Sequence, residues 1–412
     1  MSAPVPVLMM RGGTSKGAYF RAEDLPADPA ERDRLLLAIM GSPDPRQIDG
    51  IGGGHPLTSK VAVISRSGHP AADVDYLFLQ VQVDKPVVSA EQPCGNILAG
   101  VGPFAIERGL VGVQGRQTPV RVRMVNTGAL AVVTVPTPDG RVEYAGDTAL
   151  SGVPGTAARI EVEFRDTAGS VAPGLLPTGR VRDDLDGVPA TLIDNGMPVV
   201  LLNADDLGVS GYETPAQLEA HAALCRRVEG LRLIAGKLMG LGDVSATTVP
   251  KMCLIAPAAH GGTLSTRMFI PHRVHASIGV LAAVSVGTAA AVPGSIAFLP
   301  ERPETIRLEH PTGFSDVVVD VAAAGDEITV GRSAIVSTAR LLLEGQVHPP
   351  RGKPWLNAPA TSPTSPPSSS SPRCWTTPCG SSPTRWRWRR STVAATASTC
   401  TPGTTTSGSR SR

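Results

Sequence analysis

Two stretches of small residues constrain what this chain can fold into. They are Gly95-Asn96-Ile97-Leu98-Ala99-Gly100-Val101-Gly102 and His275-Ala276-Ser277-Ile278-Gly279-Val280-Leu281-Ala282-Ala283. Both read as helices and carry glycine or alanine where a surface helix carries Lys or Glu. A helix apolar on all sides is a buried helix. A thin one lets strands close tightly around it. Each stretch is followed by a strand, a Thr-Gly turn (Asn126-Thr127-Gly128, then Pro311-Thr312-Gly313) and another strand. The shared order predicts two related halves, each a sheet wrapped on a central helix. Two such halves leave a cleft in which both helix N-termini face one anion.

The rest of the pattern agrees. Aliphatic and β-branched runs at Pro4–Met10, Lys60–Ser65, Val74–Val83, Val120–Val125, Leu130–Val135, Ile160–Phe164 and Val199–Leu202 read as strands. Helical periodicity is confined to Pro29–Met40, Ile97–Glu107, Thr214–Glu229 and Ile278–Ala291. Grouped strands with occasional helices predict an α+β fold rather than a doubly wound sheet. Hydrophobic residues at 42% and charged residues at 18% fit a globular protein. No apolar run approaches the ~20 residues of a membrane span, and the start of the chain lacks a signal-peptide pattern. A cytoplasmic location is the expectation.

Net charge is misleading as a total. The +2 of the whole chain joins an acidic body, with 29 basic against 36 acidic residues up to Pro350, to a tail with nine basic residues and no acid. An acidic body argues against binding nucleic acid through phosphates. The tail holds all four tryptophans (Trp355, Trp375, Trp386, Trp388) and few aliphatic residues. It is expected to be disordered. It reads as a GC-rich gene translated out of frame rather than as a basic arm. The expected organisation is a first lobe over 1–186, a second over 187–347 and the tail over 348–412. Cys94, Cys225 and Cys253 lie in the body and Cys374, Cys379 and Cys400 in the tail, in no disulfide or zinc pattern.

Cys94 is the leading candidate for chemistry. A free cysteine is commonly a small buried hydrophobe. Here Pro93 and Gly95 place it at a tight helix entry, where unpaired N–H groups favour a thiolate. Lys60 stands at the mouth of the strand Val61-Ala62-Val63-Ile64. It is either a solvated strand-end lysine or a desolvated amine able to act as a base. Gly50-Ile51-Gly52-Gly53-Gly54-His55 is a flexible turn or a nest of amides for a carboxylate. Arg11-Gly12-Gly13-Thr14-Ser15-Lys16-Gly17 lacks the Gly-Lys-Ser/Thr order of a nucleotide loop, which leaves a carboxylate site. Arg267, His272, Arg273 and His275 cluster before the second helix without a zinc-like interval, so an anion is expected there and no metal. Asp194-Asn195-Gly196-Met197-Pro198 reads as a structural turn.

Met10–Phe20, Gly41–Gly53, Leu57–Val61, Cys94–Gly109 and Asn195–Val200, with Val249-Pro250-Lys251-Met252-Cys253 and Phe269–Val280, resemble the 4-oxalomesaconate tautomerases of the PrpF-like family. That family includes methylaconitate and aconitate isomerases. The resemblance runs from about Pro4 to about Val347. It implies a diaminopimelate-epimerase-like fold, with two lobes, the site between them and a last strand, near Ile335–Leu343, returning to the first lobe. It implies a cofactor-independent isomerase acting on a small unsaturated keto-tricarboxylate in aromatic-compound catabolism. The family's lysine and cysteine map onto Lys60 and Cys94. The second half offers His275-Ala276-Ser277 and no thiol, which disfavours a two-cysteine racemase. The expected scheme has Lys60 remove a carbon-bound proton and Cys94 manage the proton at the far end of the conjugated system. Carboxylates and the enolate oxygen would be held by Arg11, Gly12, Gly13, Thr14, Ser15, Gly53, Gly54, Ser59, Gly95, Asn96, Arg267, Ser277, Ile278 and Gly279. The alternative is 2-methylaconitate or aconitate isomerisation on the same fold. No membrane partner is expected, no residue pattern sets the oligomeric state, and a homodimer is the working expectation.

Overall fold

The computed structural model describes residues 3–91, 93–324 and 327–350. The expectations for the tail beyond Pro350 lie outside the described residues. In chain order the first half runs β1 (Val5–Gly12), β2 (Ser15–Arg21), α1 (Pro29–Met40), β3 (Lys60–Arg66), β4 (Val74–Val81), β5 (Val88–Ser89), α2 (Gly95–Leu98), α3 (Val101–Glu107), β6 (Gln117–Met124), β7 (Leu130–Pro136), β8 (Thr148–Ala149), β9 (Thr156–Ala157) and β10 (Ile160–Phe164). The second half runs β11 (Asp183–Leu185), β12 (Val188–Asp194), β13 (Pro198–Asn203), α4 (Pro215–Ala220), α5 (Ala222–Leu238), β14 (Lys251–Pro257), β15 (Leu264–Phe269), α6 (Val280–Ala291), β16 (Thr305–His310), β17 (Gly313–Ala324), β18 (Glu327–Ser337) and β19 (Ala339–Val347). Among the described residues no helix is long and apolar enough to cross a membrane.

The two halves repeat one another strand by strand. In the first, β1–β2 is antiparallel, β2–β3 parallel, β3–β4 antiparallel, β4–β6 parallel and β6–β7 antiparallel. In the second, β12–β13, β13–β14, β14–β15, β15–β16 and β16–β17 follow the same sequence of directions. An outer helix precedes β3 and β14. The central helices α2–α3 and α6 occupy the same place, between β4 and β6 and between β15 and β16. The last strand, β19, pairs antiparallel with β1.

Each sheet has an apolar face on its central helix and another on its outer helix. Ala62 and Ile64 of β3 pack with Ile97, Val101 and Phe104, while Val61 and Val63 pack against α1. Cys253 and Ile255 of β14 pack with α6, while Met252 and Leu254 pack against α5. This is strand alternation buried on both faces. Small residues are required on the central helices. A Cβ at Gly102 would lie 2.7 Å from Val133 and Val135 of β7, and one at Gly287 would collide with Val317 of β17. Both glycines sit seven residues beyond the first residue of their helical stretch.

Local signals set α1 at its expected bounds. Asp28 accepts the Glu31 amide as N-cap, Pro29 opens the helix and Gly41 closes it at φ 82°. The helix expected over Ile97–Glu107 is broken at Ala99–Gly100, where Gly100 lies against the Tyr19 hydroxyl. The one expected over Thr214–Glu229 divides at His221, whose Nδ1 caps the second part, and continues through Gly230 to Leu238. The expected last strand divides at Thr338, whose carbonyl accepts the Gly13 amide at 2.9 Å.

Candidate active site

Strand β4 organises the site. Tyr76, Phe78 and Gln80 alternate onto one face, and the first two are buried in the core that holds α2 and α3. Lys60 pairs across from Gln80. Its side chain is buried. Nζ donates to Gln80 Oε1 at 2.7 Å and lies 5.1 Å from the centre of the Phe78 ring. Gln80 Nε2 in turn donates to the Ser59 carbonyl at 2.8 Å. The lysine therefore has a neutral amide and an aromatic face as its partners.

Cys94 is the N-cap of α2, in an extended conformation and half-buried. Tyr76 Oη donates to the Cys94 carbonyl at 3.2 Å, and Tyr19 Oη donates to the Ile97 carbonyl at 2.6 Å. Burial holds both phenols well above their ordinary range, and the neighbouring Cys94 adds to the rise. They remain protonated donors. Lys60 and Cys94 are thus carried on the Phe78 and Tyr76 positions of one strand face.

The hairpin joining β1 and β2 closes over α2. A Cβ on Gly12 would lie 2.5 Å from the Asn96 carbonyl, and Gly13, at φ 52°, has no room beside the Asn96 side chain. Asn96 Nδ2 donates to Thr14 Oγ1 at 3.1 Å. Ser15, Gly17 and Tyr19 share the face of β2 turned toward α2; a Cβ on Gly17 would lie 3.1 Å from Ile97. The Ser15 hydroxyl is buried without a hydrogen-bond partner among the described residues. A buried, unpaired hydroxyl is costly, and beside a helix start it is a donor ready for a ligand oxygen.

The second half meets the first through its central helix. The Cβ position of Gly95, first residue of α2, lies 3.4 Å from Val280, first residue of α6. No side chain caps α2 or α6, so amides at both starts lack intrahelical acceptors. Gly279 is the N-cap of α6, and the Ile278 side chain belongs to the second core. Ser277 N donates to His275 Nδ1 at 2.9 Å, and Ser277 Oγ lies 3.2 Å from His310 Nε2. Burial is the main cause of lowered pKa values at His275 and His310. Lys251 adds to it at His275. At His310 the Phe314 backbone opposes it, while His275 and Arg267 reinforce it. Arg267 is buried and donates to the Glu213 carbonyl at 2.6 Å and the Thr266 carbonyl at 2.8 Å.

Some expected donors are already committed inside the protein. The Gly53 amide donates to the Thr58 carbonyl and the Gly54 amide to Gln47 Oε1. The Ser59 hydroxyl donates to the Val81 carbonyl at 2.8 Å and accepts from Gln47 at 2.7 Å. These groups hold the loop that ends at Lys60; they do not present spare donors. Arg11 spends Nη1 on the Gly13 and Thr338 carbonyls and lines, with Tyr144 and Arg340, a cavity of about 310 Å³. The Asp194–Pro198 turn is structural. Asn195 is fully buried and binds Thr288 and Ser333 at 2.8 Å each, and Asp194 accepts the Val171 and Ala172 amides. Tyr19, Tyr76, Gln80 and His310 were not foreseen. Alternation in Tyr76-Leu77-Phe78-Leu79-Gln80 is the one local signal that marks any of them. Among the described residues no group of His, Cys, Asp and Glu is arranged to hold a metal.

Comparison with known proteins gives the relatives of the chain. The PrpF protein model matches residues 2–350. A (4E)-oxalomesaconate Delta-isomerase of Novosphingobium is 57% identical over 347 residues, 83% of this chain and 96% of that protein. A 4-oxalomesaconate tautomerase of Pseudomonas putida is 56% identical over 348 residues, 83% of this chain and 95% of that protein. The crystal structure of a methylitaconate-delta-isomerase superposes with a TM-score of 0.75 at 35% identity, covering 84% of this chain and 95% of that one.

Proposed function

The chain belongs to the PrpF family, and on that premise we propose that it is an isomerase that moves a proton along an unsaturated keto-tricarboxylate, with 4-oxalomesaconate as substrate. The observation that carries this reading is that the Lys60 amine lies over Phe78 and the Cys94 carbonyl is held by Tyr76, two residues on one face of β4, beside the uncapped start of α2. A carbon acid next to a conjugated keto-acid needs a base for the proton it loses. It needs donors for the enolate oxygen and an acid at the carbon that is reprotonated. Lys60 supplies the first. The Gly95 and Asn96 amides and the Ser15 hydroxyl supply the second, and Cys94 the third. Proton loss sends the C–H electrons into the conjugated system as a dienolate. Protonation at the other end completes the shift, with no net change in composition. Identity of 57% to an oxalomesaconate isomerase, against 35% to the methylitaconate enzyme, favours the keto-tricarboxylate.

The test follows turnover of 4-oxalomesaconate by ultraviolet absorbance and hydrogen exchange in deuterated water by NMR, with 2-methylaconitate and aconitate assayed beside it. Wild-type protein should isomerise the keto-acid in preference to the other two, and Lys60→Met should abolish exchange while circular dichroism is retained. Exchange at the wild-type rate in that variant removes Lys60 from the scheme. Turnover of 2-methylaconitate or aconitate alone moves the substrate assignment to that compound.

A further inference from the structure

The internal repeat gives Lys60 a counterpart. Lys60 is the first residue of β3, paired in parallel with Gly17 of β2; Lys251 is the first residue of β14, paired in parallel with Val199 of β13. β3 and β14 hold the same position in the repeated order of strand directions. Alternation puts Lys60 on the face of Ala62 and Ile64, toward α2–α3, and Lys251 on the face of Cys253 and Ile255, toward α6. The two central helices touch at their first residues, Gly95 and Val280. The groups that flank those starts in each half are therefore set on strand faces turned toward two touching helices.

The second half has changed its chemistry at these positions. The helix cap that is Cys94 in the first half is Gly279 in the second. The amine partner that is Gln80 in the first half has no counterpart: among the described residues the Lys251 side chain makes no hydrogen bond or ion pair. Its electrostatic neighbours are His275 and Arg232, neither of them an anion. Lys251 is half-buried, and burial pulls its pKa down, with Arg232 adding to the effect. A half-buried lysine among neutral or cationic neighbours is electrostatically incomplete; an arriving carboxylate would complete it. His275 points the same way. Its Nδ1 accepts the Ser277 amide, so the single proton of the neutral ring stands on Nε2 as a second donor.

We propose that Lys251, with His275 beside it, holds a substrate carboxylate from the second half of the molecule, so that the two repeat-related lysines divide the work between proton transfer (Lys60) and anion binding (Lys251). This rests on the isomerase reading for its substrate class. The experiment separates the two. Titration calorimetry with tricarballylate, a saturated tricarboxylate that cannot isomerise, reads binding without turnover. Lys251→Met should weaken tricarballylate and raise KM by about tenfold or more, with kcat within about threefold. Lys60→Met should do the reverse, losing turnover while keeping tricarballylate affinity. Lys251→Arg should restore much of the binding, since it returns the charge. Lys251→Gln, a shorter neutral polar side chain, replaces the Met variant if that one is unstable by thermal denaturation. Wild-type affinity in both neutral variants overturns the proposal, as does a loss confined to kcat. If wild-type protein turns over none of the candidate substrates, the isomerase reading falls. The calorimetric comparison of Lys251→Met with wild type still decides the carboxylate site.

Discussion

Lys60 Nζ and Gln80 Oε1 are 2.7 Å apart across the β3–β4 pair, with the rest of the Gln80 amide tied to the Ser59 carbonyl. The strand register therefore positions the amine through a neutral group. A glutamine sets a neutral acceptor against the lysine, where a carboxylate would add a full negative charge that favours the ammonium. That choice suits the base role proposed for Lys60.

Gln80→Glu should consequently be worse than Gln80→Leu. The leucine variant leaves the amine less well placed and should lower kcat about tenfold. The glutamate variant keeps the geometry but favours the ammonium, which is no base, so turnover at neutral pH should fall further. Steady-state rates of the two variants side by side check this. A glutamate variant as active as wild type would show that the charge state of Lys60 is immaterial.

Cys94→Ser should lower kcat by about 10²-fold, the lower end of what general acid–base catalysis contributes. Its hydroxyl occupies the same cap position, and the Tyr76 bond is to the backbone carbonyl and is unaffected. Binding of tricarballylate should stay close to wild type. Single-turnover rates and calorimetry separate the two effects; an unchanged rate would leave the thiol a packing residue.

Gly287→Ala should destabilise the protein by about 2 kcal/mol, as overpacking of a tight core does. In an exposed helix the same change stabilises, because alanine is the better helix former. The sign is reversed here because the added methyl collides with Val317 of β17. Urea unfolding measures it, and a midpoint above wild type would mean that the sheet does not close on α6 as described.

The pKa values of His275 and His310 are both lowered, burial being the leading cause. A lowered value means that the unfolded chain takes up protons first as the solution is acidified. Their contribution to stability is therefore complete above about pH 6.5 and is lost as pH falls through their folded values. Urea midpoints should decline between pH 7.5 and 5, and less steeply in His310→Gln. Equal slopes in the two proteins would exclude His310 from that dependence.

Several elements were legible because short-range rules suffice for them. The bounds of α1 follow from Asp28, Pro29 and Gly41, each acting within one turn. The central helices follow from their run of small residues, and the family likeness follows from contiguous motifs. The helical pattern over Thr214–Glu229 stops short of the observed end of α5 at Leu238. In the folded protein Leu231, Arg232 and Ala235 are buried, and that packing outweighs the modest cost of one glycine.

The amino-acid sequence by itself determined a twice-repeated sheet on a small-residue helix, an acidic body, and Lys60 and Cys94 as the groups to watch. Spacing, burial pattern and local turns carry that information within a few residues. Only the tertiary structure decided that Ser59, Gly53 and Gly54 serve the loop, that Gln80 holds the Lys60 amine and Tyr76 the Cys94 carbonyl, and that Lys251 is half-buried with no hydrogen-bond partner for its side chain among the described residues. Such assignments depend on which groups spend their hydrogen bonds on each other. Those partners lie up to hundreds of residues apart, as with Arg11 and Thr338, and become neighbours only once the sheet has closed.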